Sequence, residues 1–75
     1  MPRLPRPSGR RTAHALEGAG FDLVRIVGDH ARLRNPQTGR QTTVPLTNRP
    51  LPVGTIASIL RQAGLSAEEF RELLG

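Results

Sequence analysis

The stretch Phe21-Asp22-Leu23-Val24-Arg25-Ile26-Val27-Gly28-Asp29-His30-Ala31-Arg32-Leu33-Arg34-Asn35-Pro36-Gln37-Thr38-Gly39-Arg40-Gln41-Thr42-Thr43-Val44-Pro45 decides the fold. Its first seven residues are aromatic and β-branched with charges interspersed, the composition of a strand. Gly28-Asp29 supplies a tight turn. Ala31-Arg32-Leu33-Arg34 alternates apolar and basic, as a half-exposed strand does, because successive side chains of a strand point to opposite faces. Residues 35–39 are dense in turn formers, and Arg40–Val44 reads as a third strand stopped by Pro45. Three strands in succession with short connections predict an antiparallel meander.

Outward from the meander, the periodicity changes from two to 3.6. Upstream, Ser8 is placed to cap a helix over Gly9–Ala19, with Ala13, Leu16 and Ala19 on one face. Gly20 sits where a glycine closes a helix, and Phe21 follows as its apolar contact. Residues 1–7 hold three prolines and two arginines and are expected to be an extended, loosely held arm. Downstream, Pro45, Pro50 and Pro52 shape a loop, and Val53, Ile56, Ile59, Leu60 and Ala63 give a second helix its apolar stripe, closed by Gly64. Ser66-Ala67-Glu68-Glu69 is a capping box opening a last short helix, with Phe70, Leu73 and Leu74 facing inward. The expected fold class is therefore α+β, ordered α-β-β-β-α-α, with a three-stranded antiparallel sheet and the helices on one face. At 75 residues the chain is read as a single domain, 1–75, with room for a shallow surface site rather than an enclosed pocket.

Composition narrows the chemistry. The formal net charge is +5, from 11 basic residues, every one an arginine, against 6 acidic ones. Residues 1–61 hold ten of the arginines against Glu17, Asp22 and Asp29, whereas residues 62–75 hold Arg71 against Glu68, Glu69 and Glu72. A basic surface confined to the first three-quarters of the chain points to an anionic partner, and the planar guanidinium fork suits phosphate. The absence of cysteine, lysine and tyrosine excludes a thiol nucleophile, a Schiff base and a P-loop. No cofactor is implied. The two histidines are far apart, with no second ligand at metal spacing, so no metal is expected. No apolar run approaches the ~20 residues of a membrane span, and no apolar segment follows the basic N-terminus. A cytoplasmic protein without membrane association is the expectation.

By elimination, any chemistry runs through His30. It follows the Gly28-Asp29 turn and, by the two-residue period, shares a strand face with Arg32 and Arg34. Arg25 lies on the strand before the turn and Arg40 on the third strand. An imidazole among guanidiniums has the parts for RNA cleavage: a base for a 2′-hydroxyl or an acid for the leaving oxygen, and cations for the charged phosphorane. The competing reading is an ordinary polar residue beside a turn, and Asp29 is first of all a good turn residue. His14 falls off the apolar stripe of its helix and is read as solvent-facing. Phe21 and Phe70 fall on apolar stripes and are read as core rather than base-stacking platforms.

Taken in order, Leu4-Pro5-Arg6-Pro7-Ser8-Gly9, Ala15-Leu16-Glu17-Gly18-Ala19-Gly20-Phe21, Val24-Arg25, Gly28-Asp29-His30, Asn35-Pro36, Gly39-Arg40, Thr43-Val44-Pro45, Gly54-Thr55-Ile56, Ile59 to Ser66 and Glu68-Glu69-Phe70 resemble the HicA family of toxin ribonucleases. The resemblance implies a double-stranded-RNA-binding-like fold, cleavage of messenger RNA within a toxin–antitoxin module, and a HicB-type antitoxin that blocks the site. It implies catalysis without a metal by a histidine after a glycine-containing turn, which by position is His30; Arg25, Arg32, Arg34 and Arg40, from their places on the strands, are read as the RNA-binding set beside it. The chain departs from the family in carrying Asp29 where a small residue is usual, and Ala31, Arg32 and Leu33 where an aromatic or second histidine often stands. A ribonuclease, a non-cleaving RNA-binding module and an antitoxin-binding module are therefore all carried forward.

Overall fold

A computed structural model describes residues 4–75 as helix α1 (Gly9–Gly18), strands β1 (Asp22–Val27), β2 (His30–Arg34) and β3 (Gln41–Pro45), and helices α2 (Val53–Ala63) and α3 (Ala67–Leu74). The strands form one antiparallel sheet in the order β1-β2-β3, giving the expected double-stranded-RNA-binding-like α+β architecture. Boundaries differ from the sequence reading by a residue or so. Phe21 precedes β1, His30 joins β2, and Arg40 stands just outside β3.

Local chemistry accounts for the element ends. The Ser8 hydroxyl accepts the Arg11 N–H and opens α1. The Gly20 and Phe21 N–H groups return to the Glu17 and Leu16 carbonyls and close it. Between β1 and β2 the turn has only two residues, since Val27 pairs with His30, and Gly28 adopts a φ of 61°. A positive φ at the first of two turn residues is the tight hairpin turn whose twist matches its strands, and glycine adopts it without steric cost.

The last helix opens on a complete capping box. The Ser66 hydroxyl accepts the Glu69 N–H, and the Glu69 carboxylate accepts the Ser66 N–H at 2.9 Å. These bonds from the Ser66 backbone and then its side chain favour the charged form, so the Glu69 carboxyl lies below its ordinary pKa. A lowered folded-state pKa gives a stabilisation that is present above the unfolded glutamate range, about 4.3, and is lost as pH falls through the folded value. The stability difference between the parent and Glu69→Gln, measured by denaturant titration, is therefore expected to be constant above about pH 5.5 and to shrink below about pH 4. A difference that does not change with pH would show that the carboxylate charge contributes nothing.

Helix α1 lies across β2 and β3, α2 packs along β3, and α3 packs on α1 rather than on the sheet. Leu16, Leu33, Val44, Ile56 and Phe70 are fully buried between these layers. The two buried threonines are satisfied: Thr12 donates to the Ser8 carbonyl at 2.9 Å and Thr42 to the Gln62 side-chain oxygen at 2.8 Å. Gly9 is a point of close backbone approach. A β-carbon there would lie 1.6 Å from the Pro45 carbonyl oxygen, because the start of α1 rests directly on the end of β3.

One expectation is corrected. Residues 1–3 of the proposed arm lie outside the described residues, but residues 4–7 are not loosely held. Pro7 is buried, its carbonyl accepts the Leu51 N–H, the Arg6 Nε donates to the Leu51 carbonyl, and Leu4 packs on the core. The turn-rich 45–52 loop supplies the backbone partners that fix this segment. The placement of β1 is not evident from its residue types. All six of its residues are exposed, with Leu23, Val24, Ile26 and Val27 between 47 and 60 % accessible. As an edge strand it pairs only with β2, and the helices cover β2 and β3 instead.

Candidate active site

The strand register sets out the site. Ala31 and Leu33 of β2 point into the core, so His30, Arg32 and Arg34 face outward. Arg25 of β1 pairs with Arg32, and Val27 with His30. A bulge between Leu23 and Arg25 brings this about. Without it, residues 23 and 25 would share a face; with it, Leu23 faces the helix side opposite Leu33 while Arg25 stands beside Arg32. The structure thus brings His30, Arg32, Arg34 and Arg25 onto one sheet face, with His30 about 7 Å from Arg32 along the strand, two residues on.

Arg40 is not among them. His30 pairs with Pro45 at one end of the sheet, whereas Arg40 precedes Gln41 at the other. Its guanidinium lies over Gly64, the left-handed residue that ends α2, where a cation complements the carbonyl end of the helix. His14 is as solvent-exposed as its helical position predicts, 3.9 Å from Glu17.

The imidazole of His30 is about half exposed, and its Nδ1 is 2.8 Å from the Asp29 carboxylate. This contact fixes the ring. With Nδ1–H donating to the carboxylate, Nε2 is the unprotonated nitrogen of the neutral imidazole and is free to take a proton. Asp29 is held in turn, since its carbonyl accepts the Leu46 N–H, which ties the hairpin turn to the loop after β3. That loop is also bound to α1, through the Arg10 N–H and the Thr47 carbonyl at 3.1 Å. Asp29 is thus the residue that orients the histidine.

Beside His30 a groove of about 500 Å³ runs between β3 and α2, lined by Thr43, Pro45, Thr55, Ser58 and Gln62. It is shallow and open, as the length of the chain leads one to expect. Its α2 wall was absent from the sequence-derived set, although Thr55, Ser58 and Gln62 recur at helical spacing opposite the Ile56, Ile59, Leu60, Ala63 stripe, a signal that was readable. The Arg61 guanidinium donates to the Ser58 hydroxyl at 3.1 Å, which adds a cation at the groove that sequence reasoning also missed. Among the described residues no three His, Asp or Glu side chains converge as a metal site, and no helix is long and apolar enough to cross a membrane.

The exposed, oriented base, the arginine row and the adjacent hydroxyl-lined groove together can accept a proton beside a bound phosphodiester. No curated protein matches the chain. A family model described as "HicA toxin of bacterial toxin-antitoxin" matches residues 9–65.

Proposed function

The chain belongs to the HicA family of bacterial toxin–antitoxin toxins, and from that premise we propose that it is an mRNA-cleaving endoribonuclease with His30 as its general acid–base. The single observation that carries the reading is the 2.8 Å contact between Asp29 and His30, which leaves Nε2 exposed beside the arginine row. The imidazole Nε2 removes the proton of a ribose 2′-hydroxyl, and the alkoxide attacks the adjacent phosphorus. The imidazolium so formed returns that proton to the departing 5′-oxygen as the P–O5′ bond breaks, giving a 2′,3′-cyclic phosphate and a 5′-hydroxyl end and restoring the neutral imidazole. Arg32 and Arg25 hold the phosphate and stabilise the charge that builds on its non-bridging oxygens, and Arg34 extends the row along the RNA backbone. Arg61 serves the strand that lies in the groove. No step of this scheme calls for a metal or cofactor. Residues 1–75 act as one HicA-like unit in the cytoplasm, opposed by a HicB-type antitoxin.

Two measurements test the scheme. A 2′-deoxyribose at the scissile position is expected to stop cleavage, and chelator is expected to leave it unchanged. Asp29→Asn keeps a hydrogen-bond acceptor beside the ring but removes the carboxylate charge, and is expected to slow cleavage about tenfold with RNA affinity no weaker. Cleavage of the deoxy-substituted RNA at the parent rate would sink the mechanism. One observation favours a second reading, RNA or antitoxin binding without cleavage: the exposed Asp29 carboxylate faces the same solvent the phosphate must enter. On that reading Asp29→Ser gains cleavage, whereas the acid–base scheme has it lose.

A further inference from the structure

Exposed apolar surface on this molecule is concentrated in one strand. Among the described residues, four of the five exposed large apolar side chains, Leu23, Val24, Ile26 and Val27, lie on β1, with Val53 the fifth. Among the described residues the free edge of β1 pairs with no strand and lies under no helix, and its guards are only the bulge between Leu23 and Arg25 and the charges of Asp22 and Arg25. On the helix side, Leu23 and Ile26 form one wall of an open apolar groove of about 240 Å³ whose other wall is α1. On the outer side, the strand borders the arginine row at Arg25 and Arg32, with Asp22 at one end of the hairpin and Asp29 at the other.

We infer that the β1 edge is the docking site of the antitoxin, which adds an extended segment as a fourth strand, with apolar side chains facing α1 and carboxylates facing Arg25 and Arg32. The inference rests on the family reading, which supplies a toxin–antitoxin partner, and assigns that partner a place and a chemistry. Charge complementarity decides the occupant. A second copy of the chain would bring another Arg25 and a further net charge of +5 to the junction, so self-pairing sets like charge against like. An acidic, apolar-alternating strand meets both faces. Main-chain bonds along six residues give affinity, and the groove and the arginines give specificity. Val27 pairs with His30, so a strand added to β1 runs about 10 Å from the imidazole, two strand spacings away, and the chain that follows it reaches across the site. The site is thus regulated from the edge of its own sheet.

The test uses the full chain and the product of the reading frame adjoining its own, purified separately. Leu23→Glu with Ile26→Glu alters two half-exposed side chains outside the proposed cleavage machinery, so folding by circular dichroism and free RNA cleavage are expected to match the parent. Binding measured without RNA is expected to weaken about a hundredfold or more, and cleavage to escape inhibition. In the parent complex, amide hydrogen exchange of β1 is expected to slow. Binding within threefold of the parent, unchanged β1 exchange in the complex, or a concentration-dependent dimer of the parent that the double substitution abolishes would each overturn the inference. Because the binding assay contains no RNA, a parent chain that cleaves nothing would defeat the proposed activity while leaving the result on the β1 edge intact.

Discussion

His30→Ala is expected to lower RNA cleavage by about a thousandfold, within the range by which a positioned acid–base group accelerates proton transfer, and to abolish growth arrest on expression. The fold is expected to be unaffected, because the side chain is half exposed and its one charged contact is with Asp29, itself exposed. Binding of RNA is also expected to persist, since Arg25, Arg32 and Arg34 are unchanged and phosphate contacts carry most nucleic-acid affinity. Binding and catalysis therefore separate at this residue. Adding free imidazole is expected to restore part of the rate to the alanine variant, an outcome that a merely structural role for His30 would not produce. Equal cleavage by parent and variant would remove His30 from the mechanism and leave the arginine row as a binding surface only.

Gly9→Ala is expected to be the most damaging conservative change in the fold. Its backbone is ordinary helix, so the obstacle is space rather than conformation. The new β-carbon would overlap the Pro45 carbonyl oxygen at 1.6 Å and crowd the Thr47 nitrogen at 2.9 Å, and both neighbours are backbone. Backbone cannot rotate aside as a side-chain tip can, so α1 must lift from the end of β3 and the Arg10–Thr47 hydrogen bond must lengthen. Overpacking of this kind costs about 3 kcal/mol. A domain of this size holds a total stability of only several kcal/mol, and the loss corresponds to a fall in Tm of about 15 °C. Urea titration of both proteins measures it, and a loss below about 0.5 kcal/mol would mean that the contact yields freely. The displaced loop also carries the Leu46 N–H that holds Asp29, so cleavage is expected to fall even at temperatures where the variant remains folded.

The sequence disclosed what is written locally. The Ser8 cap, the Gly20 stop, the two-residue hairpin turn, the α2 stripe and the Ser66–Glu69 box each depend on residues within one or two turns of each other, and each appears in the structure. The alternation of β2 likewise placed Arg32 and Arg34 beside His30, because that strand is buried on one face only. What stayed hidden depends on neighbours distant in the chain. Leu23, Val24, Ile26 and Val27 have the composition of a core strand, and only the strand order puts them at an uncovered edge. Gly9 looks like any helical glycine until Pro45 is set against it. Arg40 was read as the start of the third strand and a member of the RNA-binding set, yet it stands just before β3 and its side chain lies over Gly64. The bulge that realigns Arg25 leaves no mark in the residue types around it.

The packing of α3 on α1 also joins the first helix and the last into one core. Phe70, the largest of the fully buried side chains, belongs to the last helix, yet it completes a core begun by Leu16 of the first. The Arg11 guanidinium likewise reaches the Leu74 carbonyl, 63 residues on. The hairpin around His30 is built from residues close in sequence, whereas the helix layer behind it is closed by contacts between α1 and α3. Disturbance of the last helix is therefore transmitted to the first and through it to the loop that holds Asp29.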